Sequence, residues 1–196
     1  MPITHIDQLD LTKTYSYADY LTWQFQERLE LLRGKIALMS PAPRRNHQVI
    51  AGNFHGLIWS YLRKKSCQVF VAPFDVRLPK TSIEDQQIYT VVQPDVCVVC
   101  DPAKLDDRGC VGAPDLVIEV LSPGNSRKEM RDKYALYEEA GVKEYWLANP
   151  HDKTVFIYIR NEAGSFIGKQ PLTEQEMLTT DILPGLKLSL MEVFEG

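Results

Sequence analysis

The chain has 196 residues, 44% of them hydrophobic and 24% charged, a composition that suits a globular domain with one sizeable core and excludes a disordered or low-complexity protein. Its net charge of −4 excludes tight non-specific binding of nucleic acid over the whole surface, so a polyanionic partner would have to meet local basic clusters. No apolar segment approaches the roughly 20 residues of a membrane span, and the amino-terminal stretch with His5, Asp7 and Asp10 lacks the basic and apolar regions of a signal peptide, so no membrane partner and a cytoplasmic location are expected.

In chain order, Ser16 is a suitable N-cap for a helix over 17–29, where apolar residues recur at helical spacing. Residues 30–39 read as two strands turning at Arg33-Gly34, stopped by Ser40-Pro41-Ala42-Pro43. From Asn46 to about Lys65, Val49, Ile50, Phe54, Leu57, Ile58, Tyr61 and Leu62 recur every three or four residues, which predicts a long amphipathic helix covering a sheet. Residues 68–78 alternate as a strand and 80–87 form a polar loop.

Two apolar runs follow, 93–99 and 112–122. Runs this rich in Val and Ile read as strands buried on both faces. Cys97 and Cys100 would then point to opposite faces, which disfavours zinc or redox chemistry. With Cys67 and Cys110 they give no disulfide-framework spacing and are expected to be buried apolar filler. A second helix spans Arg127 to Ala140 and ends at Gly141. Strands are expected over 142–148, 154–160 and 166–170, and a last extended piece around Leu183-Pro184-Gly185-Leu186. With no repeat or linker, residues 1–196 read as one α/β domain, a central mixed β-sheet flanked by helices with added hairpins toward the carboxyl end.

The acids in the two buried runs are the chemically informative residues. An isolated carboxylate in such a strand is costly unless it is paired, protonated or bound to a metal. Asp115 and Glu119, four residues apart, share a face but lie about 13 Å from each other, too far to share one ion. Asp115 reads as a strand-entry acid. Asp95 and Glu119 can converge on one cation if their runs pair, since neighbouring strands lie about 4.8 Å apart. Basic clusters occur at Arg44-Arg45 with His47, at Arg63 to Lys65, where a solvated helix end is expected, and at Arg127-Lys128 with Arg131 and Lys133.

The order of helix, strands, Pro94-Asp95 and Asp115-Leu-Val-Ile-Glu119 entering a helix resembles the PD-(D/E)XK nuclease superfamily, the restriction-endonuclease-like fold. Within it, residues 30–41, Gln93-Pro-Asp95, residues 112–123 and Ala140-Gly-Val-Lys-Glu-Tyr-Trp-Leu147 closely resemble the Uma family of endonucleases, over about residues 17 to 160. The resemblance implies a metal-dependent endonuclease acting on nucleic acid, DNA being the favoured substrate, while the residues themselves do not separate DNA from RNA.

The chemistry of phosphodiester hydrolysis needs a water made nucleophilic near neutral pH and a neutraliser for charge on phosphate, and a carboxylate-bound divalent cation supplies both. Mg2+ or Mn2+ suits Asp95 and Glu119 with a backbone carbonyl near Val120. The superfamily places a lysine two residues after the strand acid, where this chain has Leu121. The resemblance to the Uma family implies that the ammonium comes from the following helix, at Lys133, with Lys128 as the second candidate. It likewise makes Glu30 the acid of the first core strand and His47 the histidine at the start of the long helix, where backbone N–H groups and the side chains of Arg44 and Arg45 can meet phosphate.

Two other readings stay open. One is a nucleic-acid-binding or regulatory module that kept the fold and lost catalysis, consistent with Leu121. The other is a sugar hydrolase with two carboxylates about 5 to 9.5 Å apart and no metal. A homodimer joining two grooves through the 142–170 hairpins is also expected.

Overall fold

The two acid-bearing apolar runs form the middle of the larger of two main sheets. The structure, a computed structural model, describes residues 3–39, 44–122 and 127–196, with the side chains of 127–129 outside that description. The helices are α1 (Tyr17–Tyr20), α2 (Arg45–Leu62), α3 (Arg127–Ala140) and α4 (Leu190–Phe194). The strands are β1 (Leu29–Leu32), β2 (Lys35–Leu38), β3 (Gln68–Val71), β4 (Val76–Arg77), β5 (Val91–Val92), β6 (Val96–Val99), β7 (Leu105–Asp106), β8 (Gly109–Val111) and β9 (Leu116–Val120). After α3 come β10 (Glu144–Asn149), β11 (Thr154–Arg160), β12 (Phe166–Gly168), β13 (Leu172–Thr173), β14 (Met177–Leu178) and β15 (Leu188–Ser189).

The larger sheet runs β12-β11-β10-β9-β6-β3, with β13 added on β11. Its β9 and β10 pair in parallel and the other pairs are antiparallel, so it is the expected mixed sheet with hairpins toward the carboxyl end. The second sheet runs β2-β1-β5-β4-β8-β7. Residues 93–95 are the crossing from β5 in one sheet to β6 in the other, which puts the first acid of the pair where the two sheets meet.

Side-chain alternation on β9 decides which helix each residue meets. Leu116, Ile118 and Val120 face the core that contains Ile50, Phe54, Ile58 and Leu62 of α2 and Leu190, Val193 and Phe194 of α4. Val117 faces the opposite core, with Leu136 and Tyr137 of α3. Glu119, in step with Val117, therefore lies on the α3 side. The α2 residues are the same every-fourth-residue stripe that predicts this helix, and Phe54 is fully buried, so truncating it to Ala costs about 3–5 kcal/mol.

Four expectations are corrected. The helix from Ser16 ends at Tyr20, after a capping box in which Ser16 and Asp19 bond each other's backbone N–H. Beyond it, Gln24 donates its N–H to the Ile3 carbonyl at 2.7 Å, and Trp23 stacks among Tyr15, Tyr20 and Phe25, so tertiary pairing overrides the helical period. Residues 68–78 are two strands in different sheets, divided near Pro73, which has no N–H to continue a ladder. The 183–186 segment is a turn, with Gly185 at φ +91° and Leu186 donating to the Leu183 carbonyl, leading into β15 and α4. Cys67 and Cys100 form a disulfide, because the β3–β6 register that pairs Gln68 with Val99 places the next two residues opposite each other. Cys97 and Cys110 are the buried free cysteines.

The hairpin at Arg33-Gly34 is as expected, both residues having positive φ, 52° and 79°. Asp115 is also the strand-entry acid, accepting the Cys100 N–H at 2.7 Å and lying 2.6 Å from Lys143 Nζ.

Candidate active site

Asp95 and Glu119 meet across neighbouring strands. The β6–β9 register pairs Val96 with Ile118, so its continuation by one position sets Asp95 opposite Glu119, and both line the same cavity. The Val120 N–H donates to Asp95 Oδ2 at 2.8 Å, and the Ala72 N–H donates to the Asp95 carbonyl at 3.1 Å. The acid is thus fixed at both its side chain and its backbone.

Glu30 joins them from the other sheet. It is 3% exposed on β1, and its Oε1 accepts the Gln93 N–H at 2.9 Å. Lys133 on α3 places Nζ 3.1 Å from Glu30 Oε1 and 2.9 Å from Glu119 Oε1. One turn along the same helix, Tyr137 donates its hydroxyl to Glu119 Oε1 at 2.6 Å. The helical spacing of four that aligns Lys133 with Tyr137 is what brings both groups to one carboxylate.

The charge balance is unequal. Three carboxylates, Glu30, Asp95 and Glu119, face one ammonium. Burial, with Asp95 and Glu30 beside it, pushes the Glu119 carboxyl up to about 7 despite the opposing pull of Lys133 and the Tyr137 hydroxyl. Burial disfavours the Lys133 ammonium, yet the charges of Glu119 and Glu30 outweigh it and hold the group firmly protonated. A site with this surplus of negative charge favours a proton or a further cation.

His47 sits at the start of α2, 9% exposed, with Nε2 3.1 Å from Asp95 Oδ2. Burial lowers its affinity for a proton, but the Asp95 hydrogen bond and the negative charges of Asp95 and Glu119 together outweigh this and raise the pKa. The nitrogen expected at a phosphate is therefore engaged with the acid, and Nδ1 is buried without a partner among the described residues. Arg44, at the N-cap of α2, and Arg45 are exposed and do not line the cavity. Lys128 has its backbone in α3, and its side chain lies outside the described residues.

These groups open onto a cavity of about 610 Å³, lined by Glu30, Asp95, Glu119, Val120, Lys133 and His47 and walled by β2 and Arg28. Among the described residues no three His, Cys, Asp or Glu side chains converge as a ready-made metal cage. The oxygen donors are instead the two facing carboxylates and the backbone at Val120. That all-oxygen set fits a hard cation such as Mg2+, which is commonly held by one or two carboxylates with waters completing its shell.

Tyr137, Gln93 and Arg28 were not legible as site residues. Tyr137 carried one usable signal, its place four residues after Lys133, and Gln93 carried its adjacency to Pro94-Asp95. Among the described residues no helix is long and apolar enough to cross a membrane.

A family model, Uma2, described as "Putative restriction endonuclease", matches residues 17–191. An uncharacterized protein of Synechocystis sp., slr1290, is 28% identical over 152 residues, 76% of each chain. A crystal structure described as a "putative nuclease belonging to DUF820" from Anabaena variabilis superposes with a TM-score of 0.70 at 20% identity, over 92% of this chain and 97% of that one. The likeness shows that the two share a fold, the restriction-endonuclease-like one.

Proposed function

Because the chain belongs to the Uma2 family of restriction-endonuclease-like proteins, we propose that it is a divalent-metal-dependent endonuclease that hydrolyses phosphodiester bonds of DNA. The observation that carries this reading is the placement of Asp95 and Glu119 on one face of adjoining strands, with the Lys133 ammonium 2.9 Å from Glu119. Asp95 and Glu119, with the Val120 carbonyl, would hold Mg2+ or Mn2+, and the bound ion supplies a nucleophilic water near neutral pH and neutralises charge on phosphate.

The protein's own groups do the rest. The Val120 N–H and His47 orient Asp95, and Tyr137 and Lys133 orient Glu119. Among the described residues Lys133 is the ammonium paired with these acids, at Glu30 and Glu119, which makes it the group to stabilise charge developing on the phosphate oxygens. The helix therefore supplies what Leu121 does not supply from the strand. The homodimer is part of the same reading, two cavities acting on two strands, and a strictly monomeric solution mass removes it.

The test is cleavage of supercoiled plasmid DNA with Mg2+, Mn2+ or chelator, alongside calorimetric titration of each metal. Metal-dependent nicking that is lost in Glu119→Ala, together with metal binding lost in Asp95→Ala, supports the reading. DNA binding without cleavage under any metal returns the chain to a binding module that kept the fold. Cleavage of RNA alone moves the substrate class.

A further inference from the structure

The cations around the cavity differ in what holds them. Lys133 pairs with Glu30 and Glu119, Arg33 lies 2.6 Å from Glu139, and Lys35 donates to the backbone carbonyls of Thr12 and Lys13. Arg28 is exposed, lines the cavity, and donates Nε and Nη2 to Gln93 Oε1 at 3.1 and 2.8 Å. Among the described residues it has no carboxylate within ion-pair distance.

Gln93 is an adapter between two charges. Its Nε2 donates to Asp75 Oδ1 at 2.8 Å while its Oε1 receives Arg28, so the neighbours settle which end of the amide is which. A direct pair between Asp75 and Arg28 would neutralise the guanidinium. The interposed amide fixes it without a direct ion pair to Asp75.

A guanidinium has five N–H donors in a planar fork, and only the Nε and Nη2 side grips Gln93. Among the described residues the opposite edge, both Nη1 hydrogens and one on Nη2, has no hydrogen-bond partner and can take a bidentate anion. The backbone continues the β1–β2 ladder at this point, with the Met39 N–H donating to the Arg28 carbonyl at 3.1 Å. Arg28 and Glu30 thus share the strand face toward the cavity, about 7 Å apart along the chain. The Gln93 backbone N–H holds Glu30 while its side chain holds Arg28, so one buried residue sets the spacing of an acid and a cation.

We propose that Arg28 is a DNA-phosphate contact of this site, taking a backbone phosphate beside the one cleaved, with Gln93 as its positioning residue. The inference rests on the nuclease reading above and adds a substrate-binding residue to it.

The experiment is fluorescence anisotropy of a labelled duplex of roughly 30 base pairs binding to Glu119→Gln protein, titrated over a range of NaCl concentrations. Arg28→Gln in that background weakens binding about five- to tenfold near 0.1 M salt and lowers the slope of log Kd against log salt by about 0.9, the share of one phosphate contact. Arg28→Lys keeps the slope but recovers only part of the affinity, having lost the fork. Gln93→Leu, which leaves the backbone N–H on Glu30, loses affinity, and combined with Arg28→Gln it loses no more. An unchanged slope in Arg28→Gln while the Glu119→Gln protein still binds overturns the Arg28 assignment and leaves the nuclease reading standing. A Glu119→Gln protein that binds no DNA removes the nuclease reading, and this inference with it.

Discussion

Lys133 on α3 and Glu30 on β1, 103 residues apart in sequence, lie 3.1 Å from each other, and the same ammonium is 2.9 Å from Glu119. One buried cation therefore ties the two sheets together at the site. In the proposed site this ammonium would stand in for the lysine that the strand lacks at Leu121.

Lys133→Met leaves two buried acids without their counter-charge and destabilises the protein by about 3–5 kcal/mol. If Asp95 and Glu119 form a cation site, Mg2+ or Mn2+ raises the melting temperature of this variant more than that of wild type. An equal rise in both proteins argues that the acids are not the ion's ligands. DNA cleavage by the variant falls by at least about 100-fold even with the metal present, reflecting loss of transition-state charge stabilisation.

Tyr137→Phe removes the donor at 2.6 Å from Glu119 and keeps the ring, which packs 5.2 Å from Tyr145. Lys133 still satisfies Glu119 Oε1, so the cost in stability is about 1 kcal/mol. Urea midpoints check this. Cleavage slows by roughly tenfold with its metal requirement unchanged, because an acid held by one partner rather than two is less well oriented.

Glu144, 1% exposed, accepts from Trp146 Nε1 at 2.7 Å and from the Thr180 hydroxyl at 2.6 Å, which fastens β10 to the carboxyl-terminal segment. Burial raises its pKa above the ordinary 4.5 despite these two bonds. The native state thus keeps a proton that the unfolded chain has already released. Stability is fully present below the ordinary value and is lost as pH rises through the native one. Glu144→Gln preserves the shape and removes this loss, so urea midpoints measured from acid to neutral pH fall less in the variant than in wild type. Parallel curves would show that Glu144 does not titrate between the two states.

The disulfide between Cys67 and Cys100 closes a loop with a sequence separation of 33. Loop entropy assigns it about 3–4 kcal/mol, which Cys100→Ser forfeits. Alkylation of protein purified without reductant and then denatured labels Cys97 and Cys110 only, whereas prior reduction exposes all four cysteines. Four labelled cysteines before reduction would contradict the bond.

The local and periodic features were legible in the sequence. The stripe of Ile50, Phe54, Ile58 and Leu62 specified α2, and Arg33-Gly34 specified a hairpin, because such signals depend on residues a few positions apart. The acids Asp95 and Glu119 stood out because a carboxylate in an apolar run needs a reason. The Cys67–Cys100 bond did not stand out, since it depends on the β3–β6 register, which brings together residues from separate elements. The residue at 23 misled for a related reason: an aromatic cluster and a backbone bond to Ile3 outweighed helical spacing after Tyr20.

By itself the sequence determined the apolar periodicity of the main elements and that Asp95 and Glu119 lie in apolar runs, since burial of apolar side chains follows patterns of two and of three to four residues. Only the tertiary structure decided that Lys133 lies between Glu119 and Glu30, that Tyr137 completes Glu119, and that Gln93 holds Arg28 and Glu30 together. Those partnerships join different sheets and helices, and hydrogen-bond geometry across them is set by packing that no local stretch of chain encodes.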